Sequence, residues 1–121
     1  RHSHNTWTHN AEPFVGGDRT TNRLHLTAED AEAAGLTDGG RARVRSKAGE
    51  VEVEVAITDD LMPGVVSLPH GWGHAGAEGL AVARAHAGVN ANVLTADGPD
   101  GIEPLSGMAR MTALAVEVEP A

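Results

Sequence analysis

Two stretches of strict alternation, residues 41–47 and residues 50–57, constrain this chain more than any other feature. In the first, Ala42, Val44 and Ser46 alternate with Arg41, Arg43, Arg45 and Lys47. In the second, Val51, Val53, Val55 and Ile57 alternate with Glu50, Glu52 and Glu54. Strand side chains point to opposite faces in turn, so each stretch has one buried and one wet face. A turn at Ala48-Gly49 makes the two arms a hairpin. Its wet face sets a row of cations against a row of anions, each cross-strand pair contributing roughly 0.2–1 kcal/mol.

The flanking segments are shorter. Residues 23–26, Arg-Leu-His-Leu, alternate polar and apolar and predict a short strand. Thr27 with Asp30 three residues on has the form of a capping box, so residues 28–34 are expected to be a helix. Gly35 suits the left-handed position that ends it. Gly49 and Gly64 read as turn residues, Pro63-Gly64 with the type II pattern. Residues 65–68 read as a short apolar strand stopped by Pro69, and residues 70–79 as a glycine-rich loop. Residues 81–87 fit either a weak helical turn or more loop. Leu114, Val116 and Val118 alternate with Ala115, Glu117 and Glu119 as a final strand. Val51, Val53, Val55, Leu114, Val116 and Val118 are assigned to the core. Many short strands, one clear helix and long loops predict a mainly β barrel or sandwich, in a single domain spanning residues 1–121.

Composition narrows the function. The chain has no cysteine, so a disulfide scaffold, an iron–sulfur cluster and thiolate catalysis are excluded within it. That fits a reducing compartment, and a cytoplasmic location is the expectation. The net charge is −8, and the densest cationic patch, residues 41–47, is answered by Glu50, Glu52 and Glu54. No basic stripe is left for nucleic acid. No apolar run is long enough to span a membrane, and there is no signal-peptide pattern. The chain starts without Met and inside a polar motif, which points to a fragment of a larger protein. The only Phe, Trp or Tyr residues are Trp7, Phe14 and Trp72, and both tryptophans sit in polar company that suits a surface site.

Three polar clusters remain. The first is His2, His4, Asn5, Thr6, Trp7, His9 and Asn10; the second is His70, Gly71, Trp72, Gly73 and His74; the third is Asn90, Asn92, Thr95 and Asp97. His2 and His4 would share a face of an extended segment, and His70 and His74 flank a flexible Gly-Trp-Gly. No carboxylate sits at a recognisable ligand spacing, however, and these histidines also read as hydrogen-bonding loop residues. Ser3, Ser67 and Ser106 lack a nucleophile elbow. Ligand binding fits better. Asn, Thr and His are two-way or switchable hydrogen-bonders, glycine lets backbone N–H groups approach closely, and Trp offers a flat face. This chemistry suits a flat, heteroaromatic, phosphate-bearing ligand, with phosphates held by neutral donors.

In this order, the segments "HSHNTWTHN", "LHLTAEDAEAAGLTDGGRARVRSKAGEVEVEVAITDDLMPGVVSLPHGWGH", "VNANVLTAD" and "EPLSG" resemble a known family. It is the C-terminal molybdopterin-dinucleotide-binding domain of the dimethyl sulfoxide reductase superfamily, which includes formate dehydrogenases and nitrate reductases. The resemblance implies an aspartate-decarboxylase-like, six-stranded double-psi β-barrel with one or two short helices. It also implies molybdopterin guanine dinucleotide as cofactor, with molybdenum or tungsten held mainly by other parts of a parent oxidoreductase. The domain would act as a lid, monomeric and without catalytic residues or a metal ligand of its own, and its partners would be the remaining domains of that enzyme. The residues implied at the cofactor are His2, Ser3, His4, Asn5, Thr6, Trp7 and Asn10 in the first loop. His70, Gly71 and Trp72 follow in the second, then Asn92, Leu94 and Thr95. Thr112 stands where the family often carries Lys or Asn.

Two other readings compete. A stand-alone barrel adaptor or separate subunit recognising a protein would need neither the first polar loop nor "VNANVLT". A decarboxylase-like enzyme would need a self-processed Ser after Gly, and Ser3, Ser67 and Ser106 follow His2, Val66 and Leu105.

Overall fold

The alternating stretches pair as the sequence predicts. β2 (Arg41–Arg45) and β3 (Glu50–Ile57) are antiparallel, with Arg45 opposite Glu50, Val44 opposite Val51 and Ala42 opposite Val53. Ser46 leaves the strand to build the loop. Its Oγ accepts from the N–H groups of Ala48 (3.0 Å) and Gly49 (3.3 Å). This computed structural model describes residues 8–15 and 21–121.

The wet face is a charge ladder across the whole sheet. Arg43 meets Glu52 at 3.1 Å and Arg45 meets Glu50 at 3.3 Å. β4 (Glu117–Pro120) pairs antiparallel with β2 and brings Glu119 within 3.5 Å of Arg43 and 3.6 Å of Arg45. On the other side, Arg23 reaches Glu54 at 3.0 Å. Glu52 raises the Arg43 pKa, first by its hydrogen bond and then by its charge. Exposed pairs of this kind contribute about 0–1 kcal/mol each, so they fix register more than they stabilise the fold.

The dry face is the core. Ala42, Val44, Val53 and Val55 are buried together with Leu24, Leu26, Ala31, Leu36 and Leu94. Val51, Val116 and Val118 are half-buried against that cluster, and Leu114 is also half-buried. Ile57, expected inside, is exposed at the end of β3.

β1 (Leu24–Leu26) lies parallel to β3, Leu24 opposite Val55 and Leu26 opposite Ile57. Parallel neighbours need a crossover. The chain crosses through α2 (Ala28–Ala33) and then β2; the four-residue helix α1 (Glu12–Val15) precedes β1. Thr27 caps α2, its Oγ1 accepting from the Asp30 N–H at 3.1 Å. Asp30 does not complete the box by reaching a backbone donor at Thr27. Its carboxylate accepts the Thr27 hydroxyl at 2.8 Å and the Gly64 N–H at 2.9 Å, tying the helix start to a distant turn. At the other end Gly35, at φ 68°, donates to Glu32 C=O and Leu36 donates to Ala31 C=O. This is a Schellman stop with its apolar contact between the two buried residues Ala31 and Leu36.

The strand order is β1-β3-β2-β4. Residues 65–68 join the β1 end through one bridge only, His25 and Ser67 exchanging N–H···O bonds of 2.8 and 2.9 Å. The segment before β4 joins the opposite end; its pairing starts at Glu117, three residues later than the alternation suggested. Both ends nevertheless line one open groove of about 1460 Å³, so the sheet is curled into a half-barrel. The seam between the two ends is open, floored by Leu24, Leu26, Val44 and Leu94. The expectation of a mainly β chain therefore holds, with three short α-helices among the described residues where one or two were expected.

Candidate functional site

Two loops meet at one rim of the half-barrel. The first runs from Pro69 to His74. The second leads out of α3 (Ala81–Ala85), which resolves the ambiguity of that segment as a helix. Ala87 C=O accepts from the N–H groups of Gly73 (2.6 Å) and His74 (3.2 Å) and joins the loops. Asn22, which is 3% exposed, joins them again. Its Nδ2 donates to Pro69 C=O (2.8 Å) and Val89 C=O (2.9 Å), and its Oδ1 accepts the Val89 N–H (2.9 Å). Gly88 is packed against this junction at φ 56°. A Cβ there would lie 2.5 Å from Asn22 Oδ1 and 3.0 Å from Trp72 Cβ.

Aromatic contacts hold the tip of the first loop. The His9 ring is fully buried and lies 4.2 Å from the Trp72 ring at 35°. His9 Nδ1 is 3.2 Å from His74 Nε2, and Gly71 C=O is 2.9 Å from the same nitrogen. A carbonyl only accepts, so a hydrogen bond to Gly71 requires the proton on His74 Nε2. Trp72 is half-buried by this stack.

The second loop ends in a 3-10 turn, residues Ala91–Leu94. Leu94 anchors it in the core. Asn90 Oδ1 accepts the Asn92 N–H at 3.1 Å, and Asn92 C=O accepts both the Thr95 N–H (3.1 Å) and its hydroxyl (2.8 Å). The Asn92 backbone is thus fully engaged. Its exposed side-chain amide makes no hydrogen bond with the described residues.

Between the loops lies a polar hollow of about 300 Å³ lined by His70, Gly71, Trp72, Gly73, His74, Asn90, Asn92 and Met111. It opens into the groove, sharing His70, Asn92 and Met111 with it. The structure therefore gathers His70, Gly71, Trp72 and Asn92 around the hollow, and Leu94, Thr95 and Thr112 along the groove. Thr112 is exposed beside Ala113, whose φ of 56° is strained for a residue with a Cβ. Leu94 is 7% exposed, so its side chain serves packing. Asn10 stands elsewhere, its Oδ1 accepting the Ala83 N–H at 3.2 Å and capping α3, whose own N-cap Leu80 supplies no side-chain bond. His2, Ser3, His4, Asn5, Thr6 and Trp7 lie outside the described residues.

Sequence reasoning left out Asn22 and gave no cofactor role to His9, His74, Asn90 or Met111. The polar clusters pointed to all of these except Asn22 and Met111. Asn22 carries no local signal, because its partners lie 47 and 67 residues away.

Among the described residues, no Lys or Arg lines the hollow or the groove, and Asp30 is the one acidic side chain there. An anionic group would meet neutral N–H and O–H donors, not bulk positive charge. Among the same residues, no group of three or more His, Cys, Asp or Glu could hold a metal ion, and no helix is long and apolar enough to cross a membrane.

The chain is similar to known proteins in sequence and in fold. The profile described as "Molydopterin dinucleotide binding domain" matches residues 1–114. The tetrathionate reductase of Salmonella typhimurium is 34% identical over 56 residues, covering 46% of this chain and 6% of that protein. Trimethylamine-N-oxide reductase of Haemophilus influenzae is 34% identical over 70 residues, covering 58% of this chain and 8% of that protein. The chain thus spans under a tenth of the length of these relatives. In fold, it is similar to acetylene hydratase from Pelobacter acetylenicus, with a TM-score of 0.66 and 16% identity, covering 83% of this chain and 14% of that one.

Proposed function

The chain belongs to the molybdopterin dinucleotide binding domain family of the dimethyl sulfoxide reductase superfamily, and from that premise we propose that the hollow and its adjoining seam receive the molybdopterin guanine dinucleotide. The observation that carries the placement is the uncommitted amide of Asn92, held out by a turn whose capping groups are engaged. An amide offers two donors and an acceptor, which suits the mixed edge of a pterin or guanine ring. Trp72 supplies a flat wall. The Thr112 hydroxyl and the Asn92 amide are neutral donors that suit a diphosphate, while the Thr95 hydroxyl and the Gly73 and His74 N–H groups are engaged within the loops. The residues of the first polar loop complete the set on the strength of the family resemblance.

When bound, the cofactor supplies the dithiolene sulfurs that hold molybdenum or tungsten, and with them the redox chemistry. This chain's residues bind and orient it, exclude water along one side and contribute no proton transfer. The rest of a larger oxidoreductase supplies the remaining contacts, which is in keeping with the small share of the relatives that this chain spans.

The same reading includes closure into a six-stranded double-psi barrel. Residues 65–68, already bridged to β1 at Ser67, and residues 112–116, continuous with β4, are the fifth and sixth strands in that closure.

The test is cofactor content of the complete gene product. Wild type is expected to release guanosine nucleotide and a fluorescent oxidised pterin on denaturation. Asn92→Ala is expected to lose most of both while melting normally. Undiminished pterin in folded Asn92→Ala would remove Asn92 from the site.

A further inference from the structure

One side chain that touches neither the hollow nor the groove controls the shape of both. We infer that Asn22 is the positioning residue that sets the spacing of the two cofactor-binding loops, an inference that rests on the placement of the cofactor proposed above.

The geometry is specific. Asn22 lies two residues before β1, at the edge of the sheet, and is almost wholly buried. It uses both of its N–H groups and its carbonyl oxygen, each at 2.8–2.9 Å. The Pro69 carbonyl it holds is one residue before His70, where the first wall of the hollow begins. Val89, held through both its N–H and its C=O, is one residue before Asn90, where the second wall begins. The starts of both walls are therefore fixed by a single planar amide.

No other residue type reproduces this bonding at the same size. Asp has the same shape but no donors when ionised, and would set its oxygen against two carbonyls. A buried carbonyl deprived of its partner is costly, so the loops would move apart to reach water. The Ala87 carbonyl, which holds the loops further along at Gly73 and His74, then acts as a hinge point. Movement at Pro69 and Val89 would carry Trp72 and Asn92 out of register with each other while the sheet stayed intact. The β2–β3 hairpin shares no hydrogen bond with Asn22.

The test compares three forms of the complete gene product: wild type, Asn22→Asp, and Val53→Ala as a core variant destabilised by a mechanism remote from the loops. Guanosine nucleotide released per chain is measured, with hydrogen exchange at the amides of Gly73, His74 and Val89. Asn22→Asp is expected to lose at least fivefold in bound nucleotide and to exchange faster at Val89, with the hinge amides of Gly73 and His74 and those of β2 and β3 still protected. Val53→Ala is expected to lower the melting temperature and keep its nucleotide. Should Asn22→Asp fail to accumulate folded, Asn22→Ser, which keeps one donor and leaves room for water, serves with an expected intermediate loss. Wild-type nucleotide content in either folded Asn22 variant overturns the inference, as does an equal loss in Val53→Ala. A wild type that carries no nucleotide overturns the proposed function itself, and the inference falls with it.

Discussion

Asn90 and Asn92 divide two tasks that a single asparagine cannot perform together. Asn90 Oδ1 accepts the Asn92 N–H at 3.1 Å and caps the turn, and this leaves the Asn92 amide without a structural duty. Asn→Ala at a cap costs about 1 kcal/mol, whereas an exposed side chain away from such a feature changes stability within about 0.5 kcal/mol. Asn90→Ala is therefore expected to lower stability by about 1 kcal/mol and to weaken cofactor retention through the turn. Asn92→Ala is expected to leave the denaturation midpoint in place. Urea titration of the two variants side by side checks this, and equal midpoints would refute the division.

Gly88 has no room for a side chain. Its φ is 56°, and a Cβ would come within 2.5 Å of Asn22 Oδ1. A left-handed residue with a Cβ costs about 1–2 kcal/mol before any clash is counted. Gly88→Ala is expected to destabilise by about 2 kcal/mol and to change the fluorescence of Trp72, whose Cβ lies 3.0 Å from the added methyl. A thermal melt followed by Trp emission reads both. An unperturbed emission maximum in the folded variant would argue against the crowding.

Much of this was legible in the sequence and part of it was not, for identifiable reasons. The β2–β3 hairpin is written in a period of two, so a slip of one residue would bury its charges, and the turn at 46–49 selects the register among the rest. Thr27, Asp30 and Gly35 mark both ends of α2 because caps are local chemistry. Residues 65–68 are different. An apolar run shows a preference for burial but not a partner, and here it finds only the bridge at Ser67. Gly49 reads as a turn residue, yet a Cβ there would sit 2.7 Å from Val93 C=O, so close packing of a remote segment is what excludes a side chain. Asn10, expected at the cofactor, accepts the Ala83 N–H at the start of α3, a contact 73 residues away that no local pattern announces. Composition and spacing showed only that the loops suit a flat, polar ligand. Only the family resemblance gave that ligand a name.

The Thr27 hydroxyl is at once acceptor for the Asp30 N–H and donor to the Asp30 carboxylate. Thr27→Ala removes both. The expected loss is about 1 kcal/mol, within the usual range for N-caps. Asp30→Ala is expected to lose more, because the Gly64 N–H also depends on that carboxylate. A chemical-denaturation series on the two variants tests the order; the reverse order would show that the link to Gly64 contributes little.

Glu103 provides a pH signature. It accepts from the Ser106 hydroxyl (2.8 Å), the Ser106 N–H (2.7 Å) and the Leu105 N–H (3.1 Å). These bonds, the hydroxyl's first, hold its carboxyl below the ordinary glutamate value of 4.5. A depressed carboxylate stabilises the structure above its ordinary pKa and loses that contribution as pH falls through the depressed value. The turn at residues 103–108 is therefore expected to be fully ordered at and above pH 4.5 and to loosen only as pH falls on through the depressed value. The amide resonances of Leu105 and Ser106 followed on acidification report this directly. In Glu103→Gln the acid transition should vanish, and its persistence would assign the transition to another group.

The open seam has a consequence for engineering. His70, Asn92 and Met111 belong at once to the hollow and to the groove. Filling the groove of the half-barrel with larger side chains is an ordinary route to thermostability. Here it would act on the same walls that shape the ligand's room. Substitutions along this shared wall are expected to change heat tolerance and cofactor loading together, whereas a core change away from it, such as Val53→Ala, is expected to change heat tolerance alone.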